Sequence, residues 1–171
     1  ESEVEGYITD GPIDLAEGST IAGVEVSAPL TRETFRVHKG GVDQGGILTG
    51  THNRVTWPTE AFDTGGGFAD DRFTSPTGGK YAFHAAVMFN ELVHYDNMIA
   101  LYKNGSMIAM ENYFIAVDGT NSGRPTMTVS TILHLDPGDY VDVWVHQESS
   151  DTLSVQGVEY ATYFTGQRVD L

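Results

Sequence analysis

The 171-residue sequence contains no cysteine. A disulfide framework and a thiolate metal site are both excluded. Proteins exposed outside cells commonly use disulfides, so their absence fits a protein assembled in a reducing cytosol and exported as part of a particle. Positive charge is also scarce. Nine Lys and Arg stand against 24 Asp and Glu, for a net charge of −15. Binding to nucleic acid driven by counterion release needs a basic patch that this chain lacks. The acidic excess keeps an exposed protein soluble and suits high salt, where repulsion is screened. No apolar run is long enough to span a membrane, so no membrane insertion is expected. No signal-peptide pattern opens the sequence. Helical periodicity is missing too: apolar residues at helical spacing are interrupted by glycine or β-branched runs.

What remains is a globular composition, 40% hydrophobic and 11% aromatic, with 20 glycines. Abundant glycine beside β-branched and aromatic residues predicts short strands joined by tight turns. Residues 1–30 differ from the rest. They open on Glu1, Glu3 and Glu5, carry turn signals at Asp10-Gly11-Pro12 and Glu17-Gly18-Ser19, and end at Pro29. This segment reads as an extended arm or linker with weak strands and no core of its own. It is not collagenous, because glycine does not recur every third residue.

From residue 31 onward the chain is a succession of strands. Thr34 to His38 alternates and stops at Gly40-Gly41, and Arg54 to Trp57 stops at Pro58. In Gly79 to Phe89 the residues Tyr81, Phe83, Ala85, Val87 and Phe89 share one face. Asn104-Gly105 between two apolar runs is a hairpin signal, since both residues tolerate positive φ. Thr126 to Leu135, Tyr140 to His146 and Tyr160 to Val169 complete the set. Many short antiparallel strands imply a sandwich or barrel.

The order of certain motifs narrows the choice. Phe62-Asp63, Gly67-Phe68, Arg72-Phe73-Thr74-Ser75-Pro76 and Gly79-Lys80-Tyr81-Ala82-Phe83 follow one another. Leu135-Asp136-Pro137-Gly138-Asp139-Tyr140-Val141-Asp142-Val143 and Phe164-Thr165-Gly166 come later. Over residues 31–171 this series resembles the signature of complement-C1q-like domains, the C1q and tumour-necrosis-factor type of jelly roll. The resemblance implies an all-β antiparallel sandwich that forms a homotrimer and binds rather than catalyses. Ser75 stands where many members have cysteine, and the collagenous stalk of the animal proteins is missing. C1q-like domains also resemble knobs of bacteriophage fibres and other virion appendages. The expected role is thus a virion surface protein, a trimeric fibre knob, head-fibre or decoration protein used for host attachment. Residues 1–30 would join it to other virion proteins. The alternative is a secreted cellular recognition or adhesion module.

Four large side chains lie off the alternating inner faces: Trp57, Trp144, Tyr160 and Met88. Spare apolar groups of this kind mark an interface, so they are the candidates for burial by a neighbouring subunit, against the plainer reading that the tryptophans cap the sandwich. No nucleophile elbow, zinc-binding helix motif, phosphate loop or dinucleotide fingerprint occurs. The six histidines share no ligand spacing. Carboxylates gather in turns, and Asp118, Asp136 and Asp139 are the candidates for calcium, whose ligands are loop oxygens. Solvated turn residues explain the same pattern, so no cofactor is expected. A glycosidase pair of carboxylates is a formal possibility. Recognition of a host-cell glycan or protein would fall to the polar connections 90–97, 118–124 and 147–154. There Tyr95, Asn121 and Arg124 could stack on a sugar or hydrogen-bond to it.

Overall fold

Period-two alternation builds the central strands. In the computed structural model, which describes residues 20–21, 24–25, 32–90, 96–114, 124 and 126–170, the chain divides into units 1–31 and 32–171. In the first unit, β1 (Thr20–Ile21) pairs antiparallel with β2 (Val24–Glu25).

The second unit holds β3 (Thr34–His38), β4 (Gln44–Ile47), β5 (Asn53–Arg54), β6 (Thr59–Asp63), β7 (Phe68–Ala69) and β8 (Arg72–Thr74). They are followed by β9 (Gly79–Met88), β10 (Asp96–Lys103), β11 (Ser106–Phe114), β12 (Thr126–Leu135), β13 (Tyr140–Gln147), β14 (Leu153–Val155) and β15 (Tyr163–Arg168). One sheet runs β12-β9-β15-β3-β6, and the other β11-β10-β13-β8-β7 with β5 also on β13. β14 and β4 form a small third sheet. All pairings are antiparallel, and no helix occurs among the described residues.

The core lies between the two large sheets. Tyr81, Phe83, Ala85 and Val87 of β9 face Val141, Val143 and Val145 of β13 across it, and all are buried. Phe35 stacks on Phe73 at 4.8 Å and meets Phe164 edge-on at 4.9 Å. The Phe-x-Gly pair at Phe164 and Gly166 has a steric reason. A Cβ on Gly166 would come within 2.5 Å of the Phe35 ring and 2.7 Å of the Phe83 ring, so only glycine lets β15 lie this close. The β10–β11 hairpin turns at Asn104 and Gly105 with φ of 50° and 80°, the pair of positive values that an Asn-Gly turn supplies.

The sequence reading named no strand at β4, β6, β7, β8 or β14. β4 and β6 carry no clean alternation, since β6 is mostly exposed and β4 contains two glycines, while β7, β8 and β14 run for only two or three residues. Conversely, the strand expected over Arg54 to Trp57 ends at Arg54. Val55 and Trp57 are buried all the same.

Candidate functional site

Register decides which ends of the strands meet. Thr34 pairs with Gln167 and Gln167 with Ala82, so β3 begins beside the beginning of β9. The chain therefore enters this unit at that end. The described residues that flank the three polar connections lie at the other end. Thr126 pairs with Met88, Asp96 with Phe114, and Asn97 with Gln147. The flanks of 90–97, 118–124 and 147–154 thus share one end of the sandwich, opposite the point of entry.

Of the side chains proposed for ligand contact, Arg124 is exposed, whereas Tyr95 and Asn121 lie outside the described residues. The connection 147–154 is not a free loop. Gln147 is fully buried, donates from Nε2 to the carbonyls of Ile47 and Asp151 at 3.1 and 2.9 Å, and accepts the Ser149 N–H at 2.6 Å. Leu153, in turn, is buried in β14. Only the stretch from Glu148 to Thr152, less Ser149, is open to a partner.

The four interface candidates do not form one surface. Trp57 is only 5% exposed within the single chain and packs 6.1 Å from Phe164, so it belongs to the core and leaves a neighbour almost nothing to cover. Trp144 lies on the outward face of the six-stranded sheet, 5.3 Å from Tyr102, with Nε1 donating to Asp142 Oδ1 at 2.8 Å. Met88 is half-buried on β9, in the other sheet. Tyr160, in the turn before β15, is 80% exposed. The alternating pattern showed that these side chains point away from an inner face, but not to which outer face or to which irregular segment each belongs.

The acidic turn is occupied by its own chain. Asp139 Oδ2 accepts the Asp136 N–H at 2.8 Å and pairs with Lys103 Nζ at 2.7 Å, while Oδ1 accepts from Asn104 Nδ2 at 2.6 Å. Asp136 is largely exposed and lies 3.4 Å from His134 Nε2. Asp118 lies outside the described residues. Among the described residues no group of three His, Cys, Asp or Glu is placed to hold a metal ion. The Lys103 and Asn104 hydrogen bonds lower the Asp139 pKa to about 2. A carboxyl depressed in the fold stabilises it above its unfolded pKa, and that stability is lost as pH falls through the folded value. We therefore expect the β10–β11 turn to loosen between about pH 4 and pH 2. Following the Asp139 carboxyl and the Asn104 side-chain amide by NMR titration would show it. A midpoint for Asp139 at the ordinary carboxylate value would contradict the assignment.

The sequence reading missed two hollows. One, of about 420 Å³, opens on the outward face of the five-stranded sheet among Thr34, Phe62, Ala82, His84, Thr165 and Gln167. The other, of about 280 Å³, lies on the outward face of the six-stranded sheet, near the end that carries the polar connections. Each is assembled from strands far apart in sequence, so no local motif signals it.

Two antiparallel sheets in this arrangement define a TNF-like jelly-roll sandwich. No protein-family model and no curated protein matches the sequence. Among solved structures, the chain is similar to murine APRIL at pH 5.0, with a TM-score of 0.62 and 12% identity over 81% of this chain and all of that one. Murine APRIL at pH 8.0 and at pH 8.5 give TM-scores of 0.57 and 0.56 over the same shares. At 12–13% identity these likenesses establish the fold.

Proposed function

We propose that the chain is a homotrimeric recognition module without catalytic activity, displayed on the outside of a virion as a fibre knob, head-fibre or decoration protein. One observation carries the trimer. On a chain of net charge −15, the adjacent strands β12, β9 and β15 hold no carboxylate at all. Their outward face instead presents Ala82, His84, Ser130, Thr165 and Ile132, the last 67% exposed, beside Phe62 at 46%. His84 is held by Ser130 Oγ at 2.9 Å and by the Tyr163 hydroxyl at 3.1 Å, and Arg36 lies over the Tyr163 ring. A face free of carboxylates and carrying large apolar groups suits an interface core on so acidic a chain. Closed symmetry would repeat it three times, as in the family that the sequence resembles.

The virion setting rests on the cysteine-free composition and on residues 1–30 as an attachment arm. The far-end connections would then meet the host, where three copies multiply a weak contact. Light scattering of the full chain at micromolar concentration should report three subunits. Ile132→Glu would bury a charge without a partner, so it should weaken association by on the order of a hundredfold or more. A monomeric wild-type chain would refute the trimer. Immunogold labelling of particles tests the setting: label on the particle surface supports it, and label only on secreted material favours a cellular recognition module. Deleting residues 1–30 should leave a folded trimer that no longer attaches to the particle. Unfolding of the remainder would move the boundary.

A further inference from the structure

On the outward face of the six-stranded sheet, one row of side chains crosses three strands near the loop-bearing end. Asn112 of β11 pairs with Met98 of β10, which pairs with His146 of β13. His52, just before β5, places its ring 5.1 Å from that of His146. Asp96 and Glu148 complete the rim of the 280 Å³ hollow. This is just below the usual range for clefts that hold drug-sized ligands, which starts at about 300 Å³.

The chemistry of this lining is mixed. Tyr102 bonds His52 Nδ1 at 2.6 Å, and Glu148 lies 3.2 Å from His146 Nε2. With the phenol as donor, the His52 imidazole carries its proton on Nε2. The second nitrogen of each ring, and the Asn112 amide, have no protein partner among the described residues. Asp96 and Glu148 supply acceptors, while Asn112 and the imidazoles supply donors as well. No lysine or arginine lines the hollow, and the chain carries −15 overall, so anions are repelled. An amine would satisfy the carboxylates but leave the donors unmatched. A sugar hydroxyl both donates and accepts, and the apolar Met98 can lie against a ring's C–H face.

We infer that the hollow bounded by His52, Asp96, Met98, Asn112, His146 and Glu148 is a binding site for one uncharged sugar ring. The inference deepens the recognition-module reading and rests on it. It places sugar contact on the sheet face instead of on the loop tips named from the sequence.

Saturation-transfer NMR on the full chain tests it, with the methyl glycosides of glucose, galactose, mannose and N-acetylglucosamine as probes and with sialyllactose and spermidine as charged comparators. At least one neutral glycoside should receive saturation. Asn112→Ala and Glu148→Ala, both at exposed positions, should each weaken its Kd about tenfold, the worth of one or two hydrogen bonds. Melting temperature and subunit number should not change. Three results would overturn the site: no transfer to any of the four, transfer that neither substitution affects, or transfer only to sialyllactose or spermidine. Light scattering on the same samples separates the two readings. A trimer that binds no neutral sugar removes only this site. A monomer that binds sugar through Asn112 and Glu148 removes only the trimer.

Discussion

Phe35→Ala is expected to destabilise the jelly-roll unit by about 3–5 kcal/mol, the range for deleting a buried phenylalanine ring. Phe35 is 1% exposed, and its ring is the hub of the aromatic core. It stacks on Phe73 at 10° between planes, meets Phe164 edge-on at 75°, and lies 5.3 Å from Phe68 and 6.2 Å from Phe83. Removing it strips contacts from four rings belonging to both sheets. β15 cannot move in to fill the space, because Gly166 already lies against Phe83. The cavity term is therefore added to the lost transfer free energy. Urea denaturation at one fixed protein concentration, so that association contributes equally, gives the comparison. Phe62→Ala is the control. Its ring is 46% exposed on the outward face, and its loss should act on subunit number more than on chain stability. A cost below about 1 kcal/mol for Phe35→Ala would mean that the site collapses freely and that the ring is not the hub described.

The contrast between Phe35 and Phe62 shows where the sequence was legible. Phe35 sits in Thr34–His38, whose alternation is complete: Phe35 and Val37 are buried and the residues between and beside them are not. The same holds for β9, where Tyr81, Phe83, Ala85 and Val87 share one buried face that Phe89 continues just past the strand. The Asn104-Gly105 turn was also readable, because it answers to a local steric demand, whereas the Phe-x-Gly ending was readable only through the family resemblance, since Gly166 answers to the Phe35 and Phe83 rings on other strands. β4 and β14 were not readable. They are short and leave too few residues for a period to appear. Trp57 was misplaced for a related reason. It lies outside any strand, where its backbone N–H is held by Asp71 Oδ1 at 2.6 Å, so strand parity said nothing about its direction. The candidate sugar site was beyond reach altogether. His52, Asn112 and His146 become neighbours only through the β5–β13, β10–β13 and β10–β11 registers, and register is a property of the folded sheet.

The second large effect concerns Lys39, a lysine that is 1% exposed. Its Nζ donates to the Thr56 carbonyl at 2.9 Å, to Thr56 Oγ1 at 3.0 Å and to Gln44 Oε1 at 3.3 Å. All three acceptors are neutral. Burial lowers its pKa to about 8, and the fields of Asp71 and Asp43 keep it from falling further. A lysine depressed in this way costs stability while it is charged, and the cost disappears as pH rises. Between pH 8 and the unfolded value near 10.5 the unfolded chain holds one more proton than the folded one, so stability increases with pH across that window. The full gain is about 3 kcal/mol. Tyr81 and Tyr102 act in the opposite sense, because burial raises both phenols and the folded chain then keeps protons that the unfolded chain loses. The gain should therefore turn over above about pH 10, where an ordinary tyrosine ionises. Urea midpoints measured from pH 7 to pH 11 should rise and then fall. Lys39→Met should abolish the rise while leaving the fall. Asp71→Asn keeps an oxygen for the Trp57 N–H but removes one stabilising charge, so it should lower stability at pH 7 and start the rise below pH 8. A wild-type midpoint that stays flat from pH 8 to pH 10 would mean that Lys39 titrates as a solvated lysine and that its ammonium is not confined by Thr56 and Gln44.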